Sequence, residues 1–222
     1  MKTKKTPPKR ARVLIVDDHP MTREGVAHLI GSQPDLCVCA EADSAAAGLG
    51  AALKTKPDLV LADITLPDKS GLELIKDLKA VAPSLPVLVM SMHDESNYAE
   101  RALKAGAAGY IMKVAGGAKL LEAIRRVLAG DIVVSEKVSA RVLQNLTGRS
   151  AGTTGGSIEL LSDREFEIFR LIARGLATKE IGGLLHISPK TVEAHRLNIK
   201  AKLGISSAAE LTSYAARWVA EA

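Results

Sequence analysis

The chain has only two cysteines in 222 residues, Cys37 and Cys39. They stand two apart in a stretch that reads as a strand. Both side chains therefore share one face, with poor geometry for a bridge. No third or fourth ligand lies nearby, so the expectation is small buried hydrophobes in a reducing cytosol rather than metal or redox chemistry. No apolar run approaches the roughly 20 residues that a membrane helix needs. The opening, Met1 to Arg12, carries six basic residues and no acid. No apolar segment follows it, so an exposed, disordered tail is expected rather than a secretory signal. There is neither a GxxxxGK[ST] loop nor a GxGxxG after a first strand, which removes those two routes to nucleotide binding.

An excess of one charge is also absent from the body of the chain. The net charge of +5 is concentrated in the first 12 residues. Residues 13–157 carry 15 Lys+Arg against 17 Asp+Glu, and residues 158–222 carry nine against eight. The high isoelectric point thus reports the tail and does not by itself argue for nucleic acid. Hydrophobic residues at 47 % and charged residues at 25 % give an ordinary globular balance, with length for one large domain or two small ones.

Between residues 13 and 130, short apolar runs alternate with helical patterns. Strands are expected at Val13–Val16, Leu36–Ala40, Leu59–Ala62, Pro86–Met90 and Ala108–Met112. Helices are expected at about 21–30, 45–53, 71–80, 95–105 (with Gly106 as its cap) and 118–129. Strands alternating with helices mean βαβ units, and hence a doubly wound, five-stranded parallel sheet covered on both faces. Four of these strands end on polar groups: Asp17 and Asp18, Asp63, Ser91, and Lys113. In a parallel sheet those ends share one rim, where open α/β sheets place their ligands. A lone Asp after a strand is most simply a surface loop residue. Four coincident strand ends are not well explained that way.

Clustered carboxylates repel, and one retains a proton unless a cation neutralises them. A hard divalent ion such as Mg²⁺ solves this, using few carboxylates and several waters. The same rim suits a phosphoryl group: the ammonium of Lys113 offsets charge, the Ser91 hydroxyl donates, and a carboxylate can accept phosphorus. His19 and His93 lie near this rim, either as metal ligands or, more simply, as polar bystanders.

These residues resemble a known family. Ile15-Val16-Asp17-Asp18-His19-Pro20, Asp63-Ile64-Thr65-Leu66-Pro67 and Ala105 through Lys113 look like a response-regulator receiver domain of flavodoxin-like fold. The resemblance implies that Asp63 is phosphorylated by a sensor histidine kinase. It implies that Asp18, Asp63 and the Thr65 carbonyl hold Mg²⁺ directly, and Asp17 through water. Ser91 and Tyr110 would be the switch pair, Tyr110 turning inward. Val114 follows Lys113 where many receivers have proline, which leaves that turn's conformation open.

Residues 135–146 show apolar residues at helical spacing, and Thr147 to Ser157 is rich in Gly, Ser and Thr, the composition of a flexible linker. Beyond it the pattern is all helical, at about 163–174, 178–185, 189–203 and 207–219. Capping boxes are expected at Ser162…Glu165 and Ser207…Glu210, and Ser188-Pro189 reads as an N-cap with Pro at the first helical position. The short turn at His186-Ile187 has helix-turn-helix spacing. On helix 189–203, Val192, Ile199 and Leu203 form the inward stripe, facing Ile181 and Leu185. The other face shows Lys190, Glu193, Arg196, Asn198, Lys200 and Lys202. Charge alone leaves a solvated helix and a phosphate-binding one evenly matched.

Leu161 to Glu165, Ala173 to Ile181 and Ile187 to Ile199 resemble the LuxR-type helix-turn-helix. That resemblance implies that helix 189–203 enters the major groove of double-stranded DNA. Glu193, Ala194 and Leu197 would address bases. Lys179, Lys190, Thr191, His195, Asn198, Lys200 and Lys202 would hold the backbone, and Arg196 is also expected among the DNA-binding residues. Leu211, Tyr214 and Ala215 are either a dimer contact or core.

The expected organisation is a tail at 1–11, a receiver at 12–130, a linker with a helix at 131–157, and a smaller all-α DNA-binding domain at 158–222. The expected protein is a cytoplasmic, non-enzymatic transcriptional response regulator of the NarL/FixJ type, without membrane contact. It would be homodimeric when phosphorylated and could meet RNA polymerase. The alternatives are a DNA-binding regulator independent of phosphorylation, and a haloacid-type phosphatase. The latter needs an acid two residues after Asp63, where Thr65 stands.

Overall fold

The computed structural model describes residues 10–92, 95–146 and 158–221. The chain forms two compact units that change over between Ser135 and Glu136.

The first unit is built on β1 (Ala11–Val16), β2 (Leu36–Ala42), β3 (Leu59–Ala62), β4 (Val87–Ser91) and β5 (Gly109–Met112). All pairings are parallel, in the order β2-β1-β3-β4-β5. The intervening helices are α1 (Pro20–Gly31), α2 (Ala45–Thr55), α3 (Gly71–Val81), α4 (Glu95–Ala105) and α5 (Gly117–Leu128). This is the doubly wound sheet that the alternation predicts. One face packs Val13, Ile15, Leu59, Leu61, Leu88 and Met90 against Val26 and Ile30 of α1 and Leu120, Ile124 and Val127 of α5. β3 and β4 are buried throughout, because helices cover both faces of a central parallel strand. β2 lies at an edge, so Cys37 and Cys39 are free thiols that are half-buried where buried ones are expected.

Two boundaries differ from expectation. The basic tail ends sooner: Ala11 already opens β1, and the Arg10 guanidinium donates to the carbonyls of Leu36 (2.7 Å) and Gln33 (2.8 Å). Residues 1–9 lie outside the described residues, as does the Gly/Ser/Thr-rich run 147–157. At the other edge, the segment expected to start the linker completes the sheet. Tyr110 N–H donates to Val133 O (2.7 Å), and Val133 N–H donates to Ala108 O (3.0 Å). A Cβ on Gly109 would stand 2.6 Å from Val133 O, so only glycine lets the segment approach so closely.

The second unit holds α6 (Glu136–Leu146), α7 (Asp163–Ala173), α8 (Thr178–Leu184), α9 (Pro189–Leu203) and α10 (Ala208–Glu221). The Ser162 hydroxyl and the Glu165 carboxylate cap α7 reciprocally, as their spacing predicts. At α10 the exchange is shifted by one residue: Ser207 Oγ accepts from Glu210 N, while Glu210 reaches the Ser206 N–H. Phe166 and Phe169 of α7 meet the Trp218 ring edge-on at centroid distances of 5.7 Å. Leu211 and Ala215 are fully buried and Tyr214 sits 6.1 Å from Phe169, so these three belong to the core of the unit. The turn between α8 and α9 passes through His186 in the left-handed region (φ 51°) and closes with Ile187 N–H on Gly182 O.

Candidate functional site

The carboxyl ends of β1, β3, β4 and β5 meet on one rim. Asp17, fully buried, follows β1 and is fixed by its own N–H on Ala42 O. Asp63, 4 % exposed, follows β3, with its N–H on Val16 O. Lys113 reaches across from the end of β5. Its Nζ lies 2.6 Å from Asp63 Oδ2 and 2.7 Å from Asp17 Oδ2. The other Asp63 oxygen accepts the N–H of Ile64 at 2.6 Å and of Thr65 at 3.4 Å. Ser91 is fully buried at the tip of β4. Tyr110 is also buried; it pairs with Val89, two residues deeper in the sheet than Ser91. The loop after Asp63 folds back tightly, Gly71 N–H donating to Ile64 O at 2.6 Å. A Cβ at Gly71 would fall 2.0 Å from the Asp63 carbonyl oxygen, so any larger residue must displace the loop.

One ammonium thus serves several acids. Burial and the neighbouring Asp17 charge outweigh Lys113 and hold the Asp63 carboxyl above its ordinary range. Burial alone would pull the Lys113 ammonium down, but Asp63 and Asp17 together raise it. The two shifts agree physically: the cation has two anions to itself, while each anion has a fraction of one cation. Such a site favours a second positive charge.

Oxygen atoms of Asp17, Asp18 and Asp63 and a nitrogen of His19 lie within 4.8 Å of one another. Three carboxylates around one small space form a hard-oxygen set that fits Mg²⁺. His19 stands closer than a bystander: its Nδ1 is 2.6 Å from Asp18 Oδ1 and 3.4 Å from Asp17 Oδ1. Its place in the sequence directly after the acid pair was the only available sign. Thr65 is half-buried beside Asp63, and His93 lies outside the described residues. The turn left open at Val114 is a single 3-10 turn, Lys113–Ala115, with Val114 pointing outward at 68 % exposure.

On α9, Val192 and Ile199 are buried with Ile181 and Leu185 as the spacing predicts, and Leu203 is half-buried. Lys190, Thr191, Glu193, Ala194, Leu197 and Asn198 are exposed, as is Lys179 on α8. His195, Arg196 and Lys200 are half-buried. Two candidates are already engaged within the unit. Thr178 Oγ1 donates to Glu193 Oε1 at 2.5 Å, tying the start of α8 to α9. Lys202 Nζ lies 2.6 Å from Glu165 Oε2, so this lysine, 39 % exposed, also braces the α7 cap. Composition could not reveal a buried pair nearby: Arg164 reaches Glu167 at 2.8 Å and the Leu185 carbonyl at 2.8 Å. Arg164 thereby satisfies a carbonyl at the end of α8.

Residues 13–125 match the response regulator receiver domain family, and residues 159–215 match the luxR family of bacterial regulatory proteins. The chain is 36 % identical to the oxygen regulatory protein NreC of Staphylococcus carnosus, over 92 % of this chain and 96 % of that one.

The chain belongs to the LuxR-type two-component response regulators.

Two solved response regulators resemble it along nearly their whole length. RcsB of Salmonella enterica serovar Typhimurium, solved on promoter rprA with the phosphomimetic BeF3−, is 25 % identical at a TM-score of 0.61, covering 94 % of this chain and 99 % of that one. A LuxR-family regulator from Aurantimonas sp. SI85-9A1 is 34 % identical at a TM-score of 0.58, covering 63 % of this chain and 99 % of that one. This response regulator therefore joins a receiver domain to a LuxR-type DNA-binding domain and acts in transcription regulation. No helix among the described residues is long and apolar enough to cross a membrane.

Proposed function

We propose that Asp63 is the phosphoryl acceptor of this response regulator and that its phosphorylation controls DNA binding by the helix-turn-helix. The observation that carries the reading is Lys113 Nζ at 2.6 Å from Asp63 Oδ2 on a buried rim. A carboxylate oxygen of Asp63 attacks phosphorus on the phosphohistidine of a sensor kinase. An oxygen–phosphorus bond forms, the phosphorus–nitrogen bond breaks, and the imidazole leaves with the electron pair. Lys113 faces the charge that accumulates on the phosphoryl oxygens, and Ser91 stands at the neighbouring strand tip to donate to them. Tyr110 reports the occupied state from one strand over. Asp17, Asp18, Asp63 and the Thr65 carbonyl would hold Mg²⁺, which would supply positive charge against the incoming phosphoryl group. A haloacid-type phosphatase would need an acid two positions after Asp63, where Thr65 stands.

In this reading residues 12–130 are the receiver and 158–222 the DNA-binding domain, joined by the linker between them. The protein works in the cytoplasm, dimerises when phosphorylated, binds a two-fold site with α9 in the major groove, and there meets RNA polymerase. Lys179, Lys190, Thr191, His195, Arg196, Asn198, Lys200 and Lys202 hold the DNA backbone, and Glu193, Ala194 and Leu197 face bases. Selection of bound DNA from a random pool, with and without acetyl phosphate, tests the switch. Wild type gains one phosphoryl group by intact mass and binds the selected site more tightly, while Asp63→Asn does neither. Equal affinity with and without the phosphodonor would leave a DNA-binding regulator that ignores phosphorylation.

A further inference from the structure

One line along α9 is poor in donors, although Lys190, Thr191, Arg196, Asn198 and Lys200 supply them elsewhere on the helix. Residues 190, 194, 197 and 201 fall on one line along a helix, and all four are exposed: Lys190, Ala194, Leu197 and Ala201. Three of them are apolar, and Leu197, at the middle of the line, is 59 % exposed. The acid beside this line, Glu193, already accepts from Thr178, and Lys202 is bonded to Glu165. A lone exposed leucine needs no explanation on an ordinary surface. Here it sits at the centre of the element that this family places against DNA.

Among the groups that base edges present in the major groove, the C5-methyl of thymine is the one sizeable apolar group; cytosine has only a hydrogen there. A leucine pressed against guanine O6 and N7 or a cytosine amino group would strip water from those atoms and return no hydrogen bond. Against a thymine methyl it loses nothing and removes apolar area from water.

Resting on the DNA-binding reading, we propose that Leu197, with Ala194 beside it, reads thymine methyl groups, so that this regulator selects T·A pairs at the centre of each half-site by apolar contact. Specificity then comes from methyl burial and from exclusion of G·C pairs, not from a cationic side chain on guanine. Lys190 at the start of the line and the half-buried Lys200 leave the base edges to this apolar segment and meet phosphates.

The test uses the full-length protein and the site obtained from the random pool. Each thymine of the half-site is replaced in turn by deoxyuridine, which removes the methyl and leaves every hydrogen-bonding atom in place. Wild type should bind roughly fourfold more weakly at the contacted thymines, the equivalent of one buried methyl group. Leu197→Ala should lose that penalty at the thymines Leu197 contacts and keep it only where Ala194 does. Leu197→Lys, which keeps an exposed helix-forming residue, should lose the thymine preference and gain guanine in a fresh selection. Wild-type affinity unchanged by every deoxyuridine replacement overturns the proposal, as does a selected half-site whose central positions are G·C; in both cases DNA binding stands. Failure to enrich any sequence at all would instead overturn the DNA-binding reading beneath it.

Discussion

Asp63 and Glu165 are equally hidden, each 4 % exposed, yet the two halves of the molecule hold them in opposite ways. Asp63 is crowded by burial and by Asp17, and its carboxyl is pushed up despite Lys113. Glu165 also suffers from burial, but Lys202, the Ser162 N–H and the Ser162 hydroxyl more than compensate, and its carboxyl is pulled down. The receiver rim is thus frustrated in the charged state and gains when further positive charge arrives. The α7 cap is complete as it stands. A site that must bind something is left electrostatically short, while a site that only supports the fold is closed upon itself.

The contrast can be broken most severely at the buried pair of the second unit. Arg164→Ala removes the cation facing buried Glu167 and the donor to the Leu185 carbonyl, and should cost roughly 3–5 kcal/mol in urea unfolding of that unit. Next comes Gly71→Ala, whose methyl would collide with the Asp63 carbonyl. A loss of about 1–3 kcal/mol is expected, together with slower phosphorylation from acetyl phosphate as the acceptor loop shifts.

Smaller and more diagnostic is Glu165→Gln, which weakens both the cap and the Lys202 contact for about 1 kcal/mol. Its folded carboxyl lies below the ordinary value of 4.5, so its contribution is present above that pH and is lost as acid carries the pH down through the folded value. Wild type and variant should therefore converge in stability towards acid, as followed by Trp218 fluorescence.

Asp63→Asn should give the smallest change, and one of opposite sign. A carboxyl raised above its ordinary value contributes stability below that value and loses it as pH rises through the folded one. In chelator at neutral pH the variant should therefore melt slightly higher than wild type. Destabilisation by Asp63→Asn would show that Lys113 overcompensates, and the contrast with Glu165 would fall.

The rim was legible before any coordinates because its chemistry requires several groups in fixed register. Strand ends carrying Asp17, Asp63, Ser91 and Lys113 could converge only if the strands were parallel and adjacent. What remained illegible depends on side-chain paths across long sequence separations. Lys202 reads as a surface cation until it is seen to reach Glu165, 37 residues earlier. Arg164 and Glu167 look like an ordinary solvent pair at helical spacing, yet they are buried because Leu185 needs a donor. Leu211, Tyr214 and Ala215 gave an apolar stripe without saying which surface it met. His19 shows the same limit at the rim, where adjacency to Asp18 in sequence did not reveal that its ring turns back onto the acids.

The border of the sheet formed by β5 has one further consequence. A strand at such a border normally exposes unsatisfied amides and carbonyls that any extended peptide can copy. Here Val133 occupies them from within the same chain, and glycine at 109 is the condition for its doing so. Strand-to-strand recruitment of a second molecule is therefore blocked where Val133 sits, at the Ala108 carbonyl and the Tyr110 amide. At that point an approaching partner meets side chains, which can be adjusted one residue at a time.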